Sequence, residues 1–237
     1  MTNAFVLPRT LVQSLRDHAA RVPEHVALRF LGEHGGAGGA FTYRELDLRA
    51  RAIAAALQAV AEPGDRAVLL FPSGIDYVSA FFGCLYAGVI AVPAYPPESS
   101  RQQHQVRLLS IIQDAAPRLL LTNSTLYEPL QAAGRQMAKI VSARTGAKLP
   151  GWLCVDTVED AVAEQWQEPA LQPDDIAFLQ YTSGSTAQPK GVQVSHGNLV
   201  ANEWAIRQGF EIDETDVIVS WLPLYHDMGL IGSLLQA

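Results

Sequence analysis

Four short apolar runs limit what this chain can fold into: RAVLLF at 66–71, VIAVPA at 89–94, RLLLT at 118–122 and IAFLQY at 176–181. None alternates apolar with polar residues, so each requires cover on both faces, as strands of a parallel sheet between two helical layers do. Helix-length segments at 74–87, 105–115 and 125–137 follow the first three runs. Strand, helix, strand at this pitch implies parallel pairing through right-handed crossovers. The predicted class is α/β, a mostly parallel sheet with helices on both faces.

Local signals place the other elements. Thr10 is an N-cap for a helix whose Leu11, Leu15, His18 and Val22 recur at helical spacing until Pro23. The stretches 26–31 and 40–43 read as two strands joined by a turn. The glycine cluster between them lacks both the G-x-G-x-x-G frame and the strand-to-helix setting of a phosphate loop, and reads as a flexible turn. Thr42 and Glu45 form a capping box for a helix over 43–60 that turns Leu46, Ile53 and Leu57 inward, closed by Pro63-Gly64-Asp65. Further on, the pattern predicts strands at 152–155, 191–194 and 217–221 and helices at 157–167 and 196–209. The stretch 143–151 is the least apolar linker, but the strands on either side are of buried type and need one sheet, so a single continuous unit is expected.

Composition narrows the function classes. The 237 residues carry 17 Lys+Arg and 24 Asp+Glu, a net charge of −7, which argues against wrapping a polyanion, so no nucleic-acid partner is expected. The charge is unevenly divided: residues 1–148 hold 15 basic and 11 acidic side chains, residues 149–237 only Lys190 and Arg207 against 13 acids. An anion site in the second part must therefore rely on few cations. Cys84 sits in an apolar run and shares no C-x-x-C spacing with Cys154, so both read as reduced thiols of a cytoplasmic protein. The histidines at 18, 25, 34, 104, 196 and 226 show no metal-ligand spacing, and no structural metal is expected. The opening residues have no signal-peptide pattern. The charge-free stretch 77–97 is interrupted by Gly83, Gly88, Pro93, Pro96 and Pro97, short of the roughly 20 continuous apolar residues of a spanning helix. It reads as a buried helix followed by a buried strand, and no transmembrane segment is predicted.

The chemistry concentrates in AFLQYTSGSTAQPKGVQVSH, residues 177–196. A buried strand delivers a loop of hydroxyls and glycines: Thr182, Ser183, Gly184, Ser185, Thr186 and, after Pro189-Lys190, Gly191. Hydroxyl and backbone N–H donors in such a turn make an anion-binding concavity, and Lys190 adds a mobile positive charge. The order is not that of a Walker loop, because the lysine precedes Gly191 and a strand-like VQVS follows. Nor is G-x-S-x-G present to make Ser183 or Ser185 a nucleophile. On residues alone the segment reads either as a phosphate cradle or as a polar surface turn.

YTSGSTAQPKG closely resembles the phosphate-loop signature of the adenylate-forming superfamily, which includes acyl-CoA synthetases, nonribosomal peptide synthetase adenylation domains and fatty acyl-AMP ligases. Two more segments agree in order and spacing, GVIAVPAYPP at 88–97 and SWLPLYHDMGLIGSLLQ at 220–236. AYPP together with LPLYHDMGL most resembles the fatty acyl-AMP ligase branch, and the likeness extends back to TLVQSLRDHAARVPEHVAL. Tyr95-Pro96-Pro97 has two readings, a branch marker beside the acyl pocket or a rigid strand exit.

The resemblance implies an ATP-dependent activity: a fatty acid and ATP give acyl-AMP and pyrophosphate, and the acyl group passes to an acyl carrier protein of a polyketide or nonribosomal peptide synthetase. It assigns Thr182, Ser183, Gly184, Ser185, Thr186, Lys190 and Gly191 to ATP, and His226 to catalysis near the acyl carboxylate. Tyr225, Met228 and Leu230 become substrate lining, with Trp221 a weaker candidate. For His226 the other reading is a polar pair with Asp227 that caps a strand end. Mg2+ accompanies ATP, its ligand expected outside this chain, because the Y-G-x-[ST]-E segment, the ribose-binding Asp and the lysine-bearing small domain of similar enzymes find no match here. The end GLIGSLLQA has no C-cap or polar tail and reads as cut inside a helix. Residues 1–237 are accordingly expected to be a partial N-terminal adenylating domain without its C-terminal small domain, incomplete as a catalyst. The alternatives are the same part of an acyl-CoA synthetase or peptide synthetase adenylation domain, or a non-catalytic nucleotide-binding or interaction remnant.

Overall fold

A computed structural model describes residues 8–32, 36–95, 102–132, 150–182 and 190–237. Helix α1 (Leu11–Arg21) begins where the Thr10 hydroxyl accepts the Gln13 N–H. Strands β1 (Val26–Leu31) and β2 (Ala37–Thr42) form a separate antiparallel ladder, β2 starting three residues before its predicted position. Helix α2 (Tyr43–Gln58) opens on the predicted capping box, with Thr42 and Glu45 exchanging side-chain and backbone bonds.

The main sheet follows from the apolar runs. Strands β3 (Arg66–Leu70), β4 (Ile90–Ala94), β5 (Leu119–Thr122), β6 (Gly151–Cys154) and β7 (Ile176–Thr182) are parallel, and β8 (Lys190–Ser195) is antiparallel to β7. The order across the sheet is β6-β5-β3-β4-β7-β8. Residues 183–189 are too few for the crossover that a parallel neighbour needs, which is why β8 turns back. Helices α3 (Ile75–Ala87), α4 (Gln102–Ala115), a helix described over 124–132 (α5), with 133–137 of its predicted span outside the described residues, and α6 (His196–Phe210) complete the fold.

The two-faced burial of β3 accounts for its unbroken apolar sequence. Ala67, Leu69 and Phe71 join a core with Ile53, Leu57, Phe81 and Leu85 of α2 and α3, whereas Val68 and Leu70 join Leu108 and Ile111 of α4 and Leu130 of α5. Helices therefore cover both faces, as predicted. Each fully buried Leu, Ile or Phe here contributes about 1.5–3 kcal/mol of transfer free energy. Where α3 crosses α2, a Cβ on Gly83 would overlap the Ile53 side chain, so glycine sets the distance between the helices. Gly88 ends α3 with φ 72°, a left-handed C-cap that side-chain-bearing residues disfavour.

Two predicted elements are absent. Instead of an α-helix over 157–167 there are 3₁₀ turns at Val155–Thr157 and Asp160–Gln165. Arg49 of α2 is the cause: its guanidinium takes the carbonyls of Val155 and of Val158 (2.5 Å) and the Asp160 carboxylate (2.9 Å), groups that a regular helix would use or orient otherwise. Trp166 completes the strap, its indole N–H donating to the Tyr86 carbonyl at 2.8 Å. The predicted strand at 217–221 joins no ladder among the described residues, and Val217, Val219 and Trp221 stand 84%, 80% and 90% exposed. Its β-forming composition lacks the neighbouring strand that ladder formation requires.

Candidate functional site

All five parallel strands end at one edge of the sheet, and the strand order puts a switch point there between β3 and β4. The chain leaves β3 for α3 on one face and leaves β4 for α4 on the other, which opens a crevice beyond the carboxyl ends of the two strands. Ser73 and Tyr77 border it after β3, Tyr95 after β4 and Gln180 on β7.

Residues 224–226 lie along this edge, held by their backbone. The Leu224 N–H donates to Ser73 Oγ at 3.1 Å, and the Tyr77 hydroxyl donates to the Leu224 carbonyl at 2.8 Å. Gln180 Nε2 donates to the Tyr225 carbonyl at 3.1 Å. The next turn is tight: the His226 carbonyl accepts the Leu230 N–H at 2.8 Å, and Gly229 abuts the Pro223 carbonyl so closely that no Cβ fits. A short helix, α7 (Asp227–Gly229), and a π-helical stretch, Leu230–Leu235, follow.

With its backbone held, Tyr225 presents its ring to Tyr95 edge-on at 5.1 Å, and Tyr95 meets His104 of α4 at 5.9 Å. The imidazole of His226 lies 5.7 Å from the Tyr225 ring and its side chain is 68% exposed. Its Nδ1 is 3.7 Å from Asp227 Oδ1, which also accepts the Met228 N–H at 2.8 Å. At such exposure that ion pair is weak, so the backbone, more than Asp227, orients His226. An imidazole held in this way at an open edge can donate to or accept from a ligand oxygen.

Strands β7 and β8, which flank the Ser/Thr/Gly segment in sequence, bring their facing ends to the same edge. Thr182 and Lys190 face each other at those ends, both exposed, and Tyr181 faces Gly191. A Cβ on Gly191 would stand 2.9 Å from Tyr181 Cζ, so the glycine makes room for that ring. The Tyr181 hydroxyl in turn donates to Asp114 at 2.6 Å, and burial, helped by that bond, pushes its pKa up. Thr182 and Lys190 together offer a hydroxyl and an ammonium beside the loop, the donor set an oligophosphate needs. Ser183, Gly184, Ser185 and Thr186 lie outside the described residues, as do Pro96 and Pro97.

The structure thus gathers Tyr225 and His226 with Tyr95, and Thr182 with Lys190. Leu230 is fully buried in the main core, Met228 is 62% exposed and Trp221 projects outward. Ser73, Tyr77, Gln180 and His104 border the site although no sequence motif marks them. Of these, Gln180 carries a usable signal, an amide inside the apolar run 176–181. Among the described residues no group of three or more His, Cys, Asp or Glu could hold a metal ion, and no helix is long and apolar enough to cross a membrane.

Known proteins share this arrangement of elements. The family model described as AMP-binding enzyme matches residues 15–237. The long-chain fatty acid AMP ligase FadD32 of Mycolicibacterium smegmatis is 42% identical over 217 residues, covering 90% of this chain and 33% of its own length. The medium-chain fatty acid [acyl-carrier-protein] ligase JamA of Moorena producens is 35% identical over 228 residues, covering 96% of this chain and 38% of its own. The chain therefore spans between a third and two fifths of these relatives. The crystal structure of a fatty acid AMP ligase from Legionella pneumophila superposes with a TM-score of 0.82 at 38% identity, over 96% of this chain and 37% of that one. A structure of the L. pneumophila fatty acyl-adenylate ligase with acyl adenylate and pyrophosphate gives 0.80 at the same identity and coverage. A family match over nearly the whole chain and relatives at this identity establish that the chain belongs to the AMP-binding enzyme family.

Proposed function

We propose that this chain supplies the nucleotide and acid sites of a ligase that converts a fatty acid and ATP to acyl-AMP and pyrophosphate. The acyl group then passes to the thiol of an acyl carrier protein. The observation that carries this reading is the bond from Gln180 to the Tyr225 carbonyl, which joins the strand entering the Ser/Thr/Gly loop to the segment bearing His226. A site for a phosphate chain and a site for a carboxylate thereby share one edge. The relatives named above, a fatty acid AMP ligase and an acyl-carrier-protein ligase, support the choice of acid and acceptor.

In the reaction a carboxylate oxygen attacks the α-phosphorus, and the bond to the β-phosphate bridging oxygen breaks with release of pyrophosphate. Negative charge builds on the leaving group, where Lys190 and the hydroxyls of the Ser/Thr/Gly segment would stabilise it. Lys190 is one of two basic residues in 149–237, and Arg107 of α4, which donates to the Tyr181 carbonyl at 3.4 Å, is a second cation near the base of the hairpin. His226 meets the carboxylate or the α-phosphate, and Tyr225 and Tyr95 line the acyl side. Mg2+ accompanies ATP; the described residues offer it no ligand cluster. We read residues 1–237 as part of the N-terminal adenylating domain, and the unpaired Cys84 and Cys154 support a cytoplasmic setting.

The test is fatty-acid-dependent exchange of radiolabelled pyrophosphate into ATP by the whole protein. Exchange is expected with fatty acids and not with amino acids, and Lys190→Ala should raise the KM for ATP about tenfold. Transfer to carrier-protein thiol in preference to coenzyme A is expected. Exchange driven by amino acids alone would overturn the assignment.

A further inference from the structure

We propose that Gln180 is a positioning residue for the acid site, whose Nε2 sets the Tyr225 carbonyl and through it the Tyr225 ring and the His226 imidazole. The inference rests on the adenylating function above and goes beyond it by naming what couples the two halves of the site.

Gln180 is 9% exposed on β7, a strand whose other inward residues are apolar. Its amide orientation is dictated by its neighbour, since only Nε2 can donate to the Tyr225 carbonyl. Among the described residues, the buried Oε1 is then left without a partner. An unmet buried acceptor is costly, so if packing alone were required at this position an apolar side chain would serve better. What the amide provides is the bond itself.

The origin of that bond matters. Ser73 and Tyr77 anchor Leu224 from the β3–α3 side of the crevice. Among the described residues, Gln180 is the β7 side chain that bonds the 224–226 segment, and it lies two residues before Thr182 at the hairpin base. A displacement of the hairpin strand is therefore transmitted to Tyr225, and the reverse. Loss of the bond frees the Tyr225 carbonyl while leaving Leu224 anchored, so rotation is confined to Tyr225 and His226.

The experiment compares the whole wild-type protein with Gln180→Met, which keeps the volume and removes the donor, and Gln180→Glu, which donates only when protonated. In pyrophosphate exchange, Gln180→Met is expected to lose about tenfold in kcat/KM for the fatty acid with the KM for ATP within twofold. The ratio of Gln180→Glu to wild-type activity should rise as pH falls from 8 to 5.5, because the protonated carboxyl restores a donor to Tyr225. A crystal structure of Gln180→Met should show the Tyr225 ring turned away from Tyr95. The proposal is overturned if Gln180→Met has wild-type kinetics for the acid, if activity falls only in proportion to folded protein with both KM values unchanged, or if Tyr225 stays in place in the variant crystal. Absence of exchange in the wild-type protein would count against the proposed function instead, and the variant crystal would still decide the positioning role.

Discussion

Tyr181 and Gly191 face each other across the β7–β8 ladder, with the tyrosine ring standing 2.9 Å from where a Cβ on Gly191 would be. The pair links the β7–β8 ladder to α4, because the same tyrosine donates its hydroxyl to Asp114. Gly191→Ala must push the ring away, and the ring is held at its far end. Overpacking of this kind costs about 1–3 kcal/mol. Urea denaturation of Gly191→Ala should show that loss, and Gly191→Ala with Tyr181→Ala should recover most of the overpacking part. A stability equal to wild type would show that the hairpin moves freely and does not depend on this pair.

Tyr77→Phe separates packing from anchoring. The ring of Tyr77 is buried and stacks on Phe81 at 6.4 Å, an arrangement that phenylalanine keeps. Only the 2.8 Å bond to the Leu224 carbonyl disappears. A buried carbonyl left without its donor costs about 1–3 kcal/mol. Denaturation should report a loss in that range, with amide exchange rising at residues 224–230. Unchanged protection there would mean that Ser73 alone suffices to hold Leu224.

Legibility from sequence followed the range of the forces involved. β3, β4 and α3 were readable because burial on two faces imposes a continuous apolar run on the strand itself, and the α2 capping box because Thr42 and Glu45 are three residues apart. The 155–165 strap was not, since Arg49, more than a hundred positions earlier, captures its carbonyls. Residues 217–221 have strand composition, but a ladder needs a partner that composition does not supply. At the site, YTSGSTAQPKG and YHDMG stand out as motifs. Gln180 and Tyr77 act through bonds to backbone 45 and 147 positions away, and no local pattern encodes such a bond.

Arg49 itself is open to test. Its side chain is 15% exposed while that of its ionic partner Asp160 is 58% exposed, so the ion pair contributes little and the two carbonyl bonds dominate. Arg49→Lys retains the charge but not the planar fork that reaches three acceptors at once. Loss of about 1–3 kcal/mol is expected in chemical denaturation, whereas Asp160→Asn should change stability by less than about 0.5 kcal/mol. Equal effects from the two substitutions would assign the strap to electrostatics instead.

A buried histidine and a partly buried glutamate of α6 give stability opposing pH dependences. His196, 1% exposed and without a partner at Nδ1 among the described residues, is lowered from 6.5 to about 4 by burial, against a smaller opposing effect of Asp175. The unfolded chain therefore takes up this proton first. Stability from the neutral ring is complete above pH 6.5 and is lost as pH falls toward 4, on the order of 3 kcal/mol in all. Glu203 is raised by burial from 4.5 to about 8. Its contribution is complete below pH 4.5 and is lost as pH rises toward 8. Between 4.5 and 6.5 the two slopes oppose each other, and above 6.5 only that of Glu203 remains. Urea midpoints should accordingly be lower at pH 8 than at pH 6.5, and Glu203→Gln should remove that decline while leaving the loss below pH 6 intact. If Glu203→Gln declines between pH 6.5 and 8 as steeply as the wild type, the carboxyl is already ionised in the fold and another group drives the change.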